Sequence, residues 1–327
     1  MAKAERKFLI ADRENTNVKL DLKISLLIPC YNWNISNFIN KLHVLCVEEL
    51  RLNEFEIICI EDGSSNYFSN EAVKDLKNVK YEILKTNIGR SAVRNLLAKK
   101  AKFEWLLFID CDSKIATKDF IWNYLRAIYL RAELQLGSKL KLYLENETVY
   151  YGETLYEKKE TKNTLHQKYG NKIESKRKKD VFSSHHFLIH KSAFKQKQFD
   201  ENITSYGYED ILFQIKHECY FQHINNPLYH IGLKSNENFI KDCETGLKNL
   251  LQYTKNKNVI QKIKILRHWS KLRSLGLITA IVFIFNMFKS LILKNLLSKN
   301  PSLFLLQFYK LGFFSHQIHA EAFQYQK

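Results

Sequence analysis

Glycine and proline are scarce, with 10 and 3 among 327 residues. Collagen-like and low-complexity chains are thereby excluded and a loop-rich sandwich fits poorly, so helices and strands should be long and regular. With 45% hydrophobic and 26% charged residues, intrinsic disorder is also a poor fit. The six cysteines (Cys30, Cys46, Cys59, Cys111, Cys219 and Cys243) form no C-x-x-C pair and no zinc-ligand spacing. They read as buried reduced thiols, the usage of a cytosolic compartment. Between Met1 and Lys23 charges alternate around one short apolar run, Phe8 to Ala11. No secretory signal is expected there, and the chain is expected to stay inside the cell. Acid is nearly missing from the tail: Leu251 to Lys327 holds twelve Lys and Arg against Glu321 alone. That tail carries +11 of the +17 net charge, which suits nucleic acid or an anionic membrane surface.

What is present first is an alternation. Strand-like apolar runs at Ile24–Cys30, Phe55–Glu61, Val79–Leu84 and Trp105–Asp110 are interleaved with helical patterns at Ser36–Leu52, Asn70–Lys77, Gly89–Lys102 and Lys118–Leu134. Strand following helix in this way implies an α/β fold with a doubly wound, mostly parallel sheet. Ligands of such sheets bind beyond the carboxyl ends of the strands. Those ends here are polar: Pro29-Cys30-Tyr31-Asn32, Glu61-Asp62-Gly63-Ser64-Ser65, Asn87-Ile88-Gly89-Arg90 and Asp110-Cys111-Asp112.

Leu155 to Asp180 holds nine basic and four acidic residues with little periodicity, and reads as a solvated loop or mobile helix, or alternatively a lid or acceptor-binding loop. Order resumes with a run at Val181–His190, a helix over Glu209–Tyr220, a strand-like Phe221–His230, and helices near Asn238–Leu251 and Ile260–Leu272. Leu275 to Leu293 is apolar except for Thr279, Asn286, Lys289 and Ser290. At about 100° per residue those polar positions share one sector and leave a broad apolar remainder. The segment resembles an interfacial helix, with membrane spanning and packing against the protein as alternatives.

Asp110 and Asp112 follow a buried strand, and residues i and i+2 of a strand face one side, so both carboxylates can address one cation. A lone D-x-D also fits a solvated strand end. In company with the other strand-end clusters it resembles family 2 glycosyltransferases of the GT-A fold. Ile24 to Asn32 resembles that family's opening strand and P-x-Y-N turn, and Glu61-Asp62-Gly63-Ser64 its D-D-G-S turn, with Glu61 in place of the first Asp. Asn87-Ile88-Gly89 with Ala92-Val93-Arg94-Asn95 is similar to N-x-G…A-x-R-N. Gln198-Phe199-Asp200-Glu201 with Tyr206-Gly207-Tyr208-Glu209-Asp210 is similar to F-D-E…G-x-E-D, although Lys197-Gln198 replaces the usual Gly-Gly. Pro227-Leu228-Tyr229-His230 looks like the late strand that supplies a metal-binding histidine. The resemblance covers Lys23 to Gly232.

The resemblance implies an inverting transferase that uses Mn2+ or Mg2+ and moves a sugar from a nucleotide-diphosphate donor, by default a UDP-sugar, to a glycan or polyprenyl-linked acceptor in surface polysaccharide synthesis. Asp112 would ligate the metal directly, with His230 as second ligand, while Asp110 would contact the ribose or donor sugar. Tyr31 and Asp62 would frame the nucleobase and Pro29 shape its floor. Asn32, Asn87 and Gly89 would complete the nucleotide-sugar site, and Arg94 and Arg90 would face the diphosphate at a helix start suited to anions. Asp210 would be the general base and Glu209 its support, although two acids also suit a plain helix N-terminus. His185 and His186, adjacent on a strand, point oppositely and cannot easily share one ion. One of them could line the acceptor cavity.

Three regions are expected: a lead-in over 1–22, a GT-A domain over 23–235 with its nucleotide half ending near 135, and a basic helical extension over 236–327. Lys255, Lys257, Lys262, Lys264, Arg267, Lys271 and Arg273 directly precede the apolar helix. That order favours peripheral attachment to the inner face of the cytoplasmic membrane over nucleic acid, which is not expected as a partner. A non-catalytic sugar-nucleotide binder is the alternative function. A nucleotidyltransferase lacks support, because its glycine- and lysine-rich opening is missing.

Overall fold

In the computed structural model the described residues are 21–66, 68, 70–137, 148–157, 164–176, 179–203, 207–217 and 220–324. The lead-in expected over 1–22 lies almost wholly outside them, as do Tyr206 and Cys219. The first half runs β1 (Lys23–Cys30), α1 (Ser36–Glu48), β2 (Glu54–Glu61), a 3-10 turn at Asn70–Asp75, β3 (Val79–Ile83), α2 (Arg90–Lys100), β4 (Trp105–Ile109), β5 (Ser113–Ile115) and α3 (Phe120–Gly137). Then follow β6 (Thr148–Tyr151), β7 (Thr154–Tyr156), α4 (Thr164–Tyr169), β8 (His186–His190), α5 (Lys191–Gln196), α6 (Glu209–Lys216), β9 (Tyr220–His223) and β10 (Leu228–His230). Five helices close the chain: α7 (Asn236–Asn249), α8 (Lys257–Lys262), α9 (Lys264–Ser274), α10 (Ile278–Leu296) and α11 (Leu303–Gln324).

The main sheet has the order β3-β2-β1-β4-β8-β6-β9. β1 lies parallel between β2 and β4, whereas β8 runs antiparallel to β4. Central parallel strands are covered on both faces, which is why β1, β2 and β4 read as continuous apolar runs. Alternate residues divide between the faces. Leu26, Ile28, Leu107 and Ile109 pack with α1 and α3, and Leu27, Leu106 and Phe108 pack with α2, α5 and α6. A second sheet, β5-β10-β7, sits beyond the end of β4. It pairs His230 with Ser113 and so returns the late strand to the D-x-D turn.

The helices after Asn236 share a third core with earlier residues: Leu165, Ile203 and Leu212 pack with Leu247, Trp269, Phe285 and Phe314. Several sequence expectations need correction. Ile260–Leu272 is two helices, because buried Ile263 is extended (φ −94, ψ 115) between them. The apolar helix starts at Ile278, three residues late, because Gly276 (φ +70) closes the preceding helix. The helix expected over Glu209–Tyr220 stops at Lys216, and the strand expected from Val181 starts only at His186. Phe221–His230 is two short strands. The charged stretch 155–180 is not all solvated: Leu165 and His166 are buried, and Gly170 packs on the Tyr156 ring. α11 was not anticipated.

Phe285 is fully buried between α10 and α11, against Tyr309 and Gly312. Phe285→Ala is expected to cost about 3–5 kcal/mol in urea denaturation and to leave a single transition. A separate, early transition of the helical part would show that its core is independent.

Candidate active site

Strand ends gather at one edge of the sheet, and they are tied to one another before any ligand arrives. Asn32 has φ +50, a region asparagine tolerates. Its side-chain oxygen accepts from the amides of Ser65 (2.9 Å) and Asn66 (3.0 Å), and its own amide donates to Ser64 Oγ (2.7 Å). Asp62 accepts from the amides of Ile88 (2.7 Å) and Gly89 (3.1 Å), while Asn87 donates its side-chain amide to the Asp62 carbonyl (2.9 Å). Burial pushes the Asp62 carboxyl up, opposed by those two amides. Gly63, at φ +60, has no room for a Cβ against the Thr86–Asn87 backbone. Asn32, Asp62, Asn87 and Gly89 therefore hold the loops to each other, and Tyr31 stands out from them, 51% exposed. Pro29 is half-buried at the end of β1.

Glu61, the departure from the D-D-G-S pattern, is buried. It accepts from Tyr81 (2.7 Å), from Asn70 (3.2 Å) and from the Ser64 hydroxyl. The longer arm gathers three donors from three segments. This is a structural tie, not a change in the cavity.

The two arginines differ from expectation. Arg94 is 1% exposed and does not face the cavity; it donates to Asp110 at 2.7 Å and lies over the Phe199 ring. Arg90, on the first turn of α2, lines the cavity, 3.7 Å from Asp110 and 3.4 Å from Glu209. Asp110 is held from behind by the Arg94 ion pair, and its amide donates to the His185 carbonyl.

Asp112 Oδ2 meets His230 Nε2 at 3.1 Å, and the Asp112 carbonyl accepts from Ile231 at 2.8 Å. A side chain at Gly232 would overlap the Asp112 carboxylate. Although burial opposes it, the histidine holds Asp112 well below the usual carboxylate range, and Asp112 in turn raises His230. Asp112 Oδ1 and His230 Nδ1 are buried with no hydrogen-bond partner. Among the described residues no group of three or more His, Cys, Asp and Glu forms a metal cluster. This pair thus offers two protein donors at most.

The two adjacent histidines do part company. His185 lines the cavity between Ser113 (3.0 Å) and Thr154 (3.1 Å), and burial keeps it neutral, far below its usual range. His186 faces Tyr124 (2.7 Å). His166, not singled out from the sequence, stacks on Phe239 with its ring 5.5 Å from that of His230, and burial pushes it down to about 4.

Glu209 and Asp210 open α6 beneath Tyr208, a non-glycine residue at φ +67. Such strain persists where the surroundings enforce it. Here Gly207 approaches so closely that a Cβ would lie 2.8 Å from the Gly246 backbone, and its carbonyl accepts from Asn249 (3.1 Å). α7 therefore sets the turn that presents Asp210 to the cavity. Glu209 accepts from the Gly207 amide (2.9 Å) and pairs with Arg90.

The cavity measures about 900 Å³. Asp110, Asp112, His230, Arg90, Glu209 and Asp210 form one wall, and Tyr169, Lys264, His268, Phe304 and Lys310 form another. Tyr31, Asn32, Asp62 and Asn87 are not part of its lining. The second wall was missed because no separate helix was placed over α11, which carries Lys310, within the helical extension, and because 155–180 was read as a solvated stretch with an acceptor-binding loop only as its alternative.

The model of the glycosyl transferase family 2 matches residues 25–201. The chain belongs to that family and is a glycosyltransferase, and its α/β sheet is the GT-A class its motifs suggested. Among solved structures it resembles S. aureus TarS, at 20% identity and TM-score 0.45 over 70% of this chain, and it spans about two fifths (40%) of that protein's length. A TarS fragment, 1–349, matches at 18% identity and TM-score 0.45, covering 94% of this chain and 92% of its own. The same fragment in complex with UDP matches at 16% and 0.44 with the same coverage. No curated protein matches.

Removing the Glu61 carboxylate strands Tyr81, Asn70 and Ser64. Glu61→Ala is expected to lose about 2 kcal/mol or more of unfolding free energy, since each buried unsatisfied group costs about 1–3 kcal/mol. Glu61→Asp should fall between. Equal stability of all three in chemical denaturation would refute the tie.

Proposed function

We propose that the chain is an inverting, metal-dependent transferase that moves a sugar from a nucleotide-diphosphate donor to a glycan or lipid-linked acceptor in surface polysaccharide synthesis. The observation that carries this reading is the buried Asp112–His230 pair, with unpartnered Asp112 Oδ1 and His230 Nδ1, in the same cavity as Asp210. One carboxylate and one imidazole suit Mn2+ or Mg2+, whose remaining positions diphosphate oxygens and water usually fill. Such an ion supplies charge neutralisation for the departing nucleoside diphosphate.

The chain's own residues then take these roles. Tyr31 stacks on the base above the floor shaped by Pro29, and Asp62 keeps lone pairs for a base N–H beyond the two amides it already holds. Asn32, Asn87 and Gly89 keep that rim in shape. Asp110, fixed by Arg94, contacts the ribose or sugar, and Arg90 is the arginine free of burial to reach the diphosphate. Asp210 takes the acceptor hydroxyl proton as the oxygen attacks the anomeric carbon, so a single displacement inverts its configuration. Glu209 orients the acceptor and Arg90. The UDP complex of the TarS fragment makes UDP the nucleotide to try first.

We assign the GT-A domain to 23–235 and a helical extension to 236–327. α10 is long and apolar enough to cross a membrane, at 19 residues and mean hydropathy 1.4. One of its faces is nevertheless committed to the core through Val282, Phe285, Ile292 and Leu296. Phe283, Ile284, Met287, Phe288 and Leu291 are exposed and fall within about 140° of the helix circumference at 100° per residue. A half-buried helix of this kind favours lying in an anionic surface over spanning it. The extension would hold the enzyme peripherally on the inner face of the cytoplasmic membrane.

Nucleoside diphosphate release from UDP-, GDP- and dTDP-sugars, with membrane lipid extract as acceptor, tests the reaction. Release should need Mn2+ or Mg2+ and vanish in Asp112→Ala. Asp210→Asn should lower turnover about 10²–10⁴-fold while donor affinity stays within about twofold; a parallel loss of both would remove Asp210 from the role of base. For the membrane, the triple change Phe283→Ser, Met287→Ser and Leu291→Ser should reduce co-sedimentation with anionic phosphatidylglycerol vesicles at least about tenfold, given about 1.5–3 kcal/mol per buried large apolar side chain. Wild-type protein that stays in the supernatant at low salt would refute membrane attachment.

A further inference from the structure

We propose that Lys310 anchors an anion subsite in the acceptor half of the cavity, and that its ligand is a phosphoryl group carried by the acceptor. This rests on the reading of Asp210 as the base, and it names the acceptor's chemistry, which that reading leaves open.

Lys310 lies on α11, 9% exposed, and lines the cavity. Its Nζ faces the Tyr169 ring, 5.5 Å from the centroid. Among the described residues no carboxylate comes within 4.0 Å of it and no hydrogen bond satisfies it. An ammonium on a side chain buried to this degree, with no carboxylate in contact, loses hydration that a bound anion would replace. Of the acids nearby, Glu174 acts on Lys310 through its charge without contact, and both Glu174 and Asp242 are engaged with other groups. Glu174 accepts from the Tyr156 hydroxyl, and Asp242 is paired with Lys234. A ring face offsets part of an ammonium's charge but leaves its donors unused.

The surroundings add the positive charge of Lys264. Lys264 and His268, one turn apart on α9, are exposed and line the same wall. His268 Nδ1 donates to the Lys264 carbonyl at 2.8 Å, so its Nε2 accepts in the neutral ring and donates to an anion only when the ring is protonated. A neutral sugar needs no such arrangement, whereas a phosphoryl group offers several charged oxygens to the two ammonium groups of Lys310 and Lys264. The position also suits the chemistry. Tyr208, immediately before Glu209 and Asp210, lies within electrostatic reach of Lys310. A phosphoryl group seated there would fix the acceptor near the base by its charge, leaving the hydroxyl free to react.

The first experiment is calorimetric titration of the full chain with inorganic phosphate, in EDTA and at constant ionic strength. Wild-type protein should bind, Lys310→Met should bind at least about tenfold more weakly, Lys310→Arg within about threefold, and the surface pair Lys264→Ala, His268→Ala about threefold to tenfold more weakly. Equal affinity in wild type and Lys310→Met, or no binding by wild type, overturns the subsite. Should Lys310→Met fail to fold, the surface pair decides: an affinity unchanged from wild type overturns the proposal. Parallel titration with UDP and Mn2+ separates the two readings. Intact UDP binding without phosphate binding overturns the subsite alone, and Lys310-dependent phosphate binding without UDP binding overturns the donor reading alone. The source of the group follows from repeating the titration with a short prenyl diphosphate and with glycerophosphoglycerol. Tighter, Lys310-dependent binding of the first supports a lipid carrier, of the second a phosphodiester polymer, and independence from Lys310 in both overturns the proposal.

Discussion

Everything at the site depends on how the end of β4 is stitched to β10. The D-x-D turn leaves the sheet at Ile109, and three residues later β5 pairs antiparallel with Leu228–His230. The bond from the Ile231 amide to the Asp112 carbonyl then fixes the separation, and Gly232 provides the space the carboxylate occupies. Without that second sheet, Asp112 would be a solvated acid beyond a strand and His230 would lie more than a hundred residues from it along the chain. The register converts sequence distance into a 3.1 Å contact. A one-residue slip would turn His230 to the opposite face and end the pairing.

The same economy governs the other charges. Isolated buried ions are disfavoured, so four acids of the site are held by fixed donors: Asp62 by two amides, Asp110 by Arg94, Glu209 by the Gly207 amide, Asp112 by His230. These partners position the acids in advance, and orientation set before binding is what a transfer reaction needs. The helical extension takes part in this. By packing Gly246 against Gly207 it determines where α6 begins, and so where Asp210 stands.

The strands β1 to β4 were legible because burial on both faces makes them uninterrupted apolar runs, and their polar ends stood out by contrast. Asp112 and His230 could be paired from the sequence only through family resemblance, since β5 and β10 have three residues each and carry no measurable periodicity. β6 and β7 escaped for the same reason, broken by Gly152 and Glu153. The stretch 155–180 misled by composition: its nine basic residues outnumber the few, Leu165, His166 and Gly170, that enter the core. The break at Ile263 has neither glycine nor proline to announce it. Tertiary packing of that side chain, not local propensity, ends one helix and begins the next.

The contrast between the two arginines shows how a single helix turn divides labour. Arg90 and Arg94 are four residues apart, hence on one face of α2, and both reach Asp110. Arg94 is sealed under Phe199 and sits 2.7 Å from Asp110, with its Nε and one terminal nitrogen buried and without a hydrogen-bond partner, so any movement would strand two buried charges. Arg90 is about two fifths exposed (41%) and holds Asp110 and Glu209 only at 3.7 and 3.4 Å. Loose, solvated pairs of that kind contribute little to stability, so exchanging them for a bidentate contact with diphosphate oxygens costs little and gains a charge-assisted bond. Departure of Arg90 toward a donor would leave Glu209 on the Gly207 amide and on the longer, 4.0 Å pair with Arg94. With Arg90 at the diphosphate and Asp210 as the base, the roles proposed above, one shared carboxylate would couple the two.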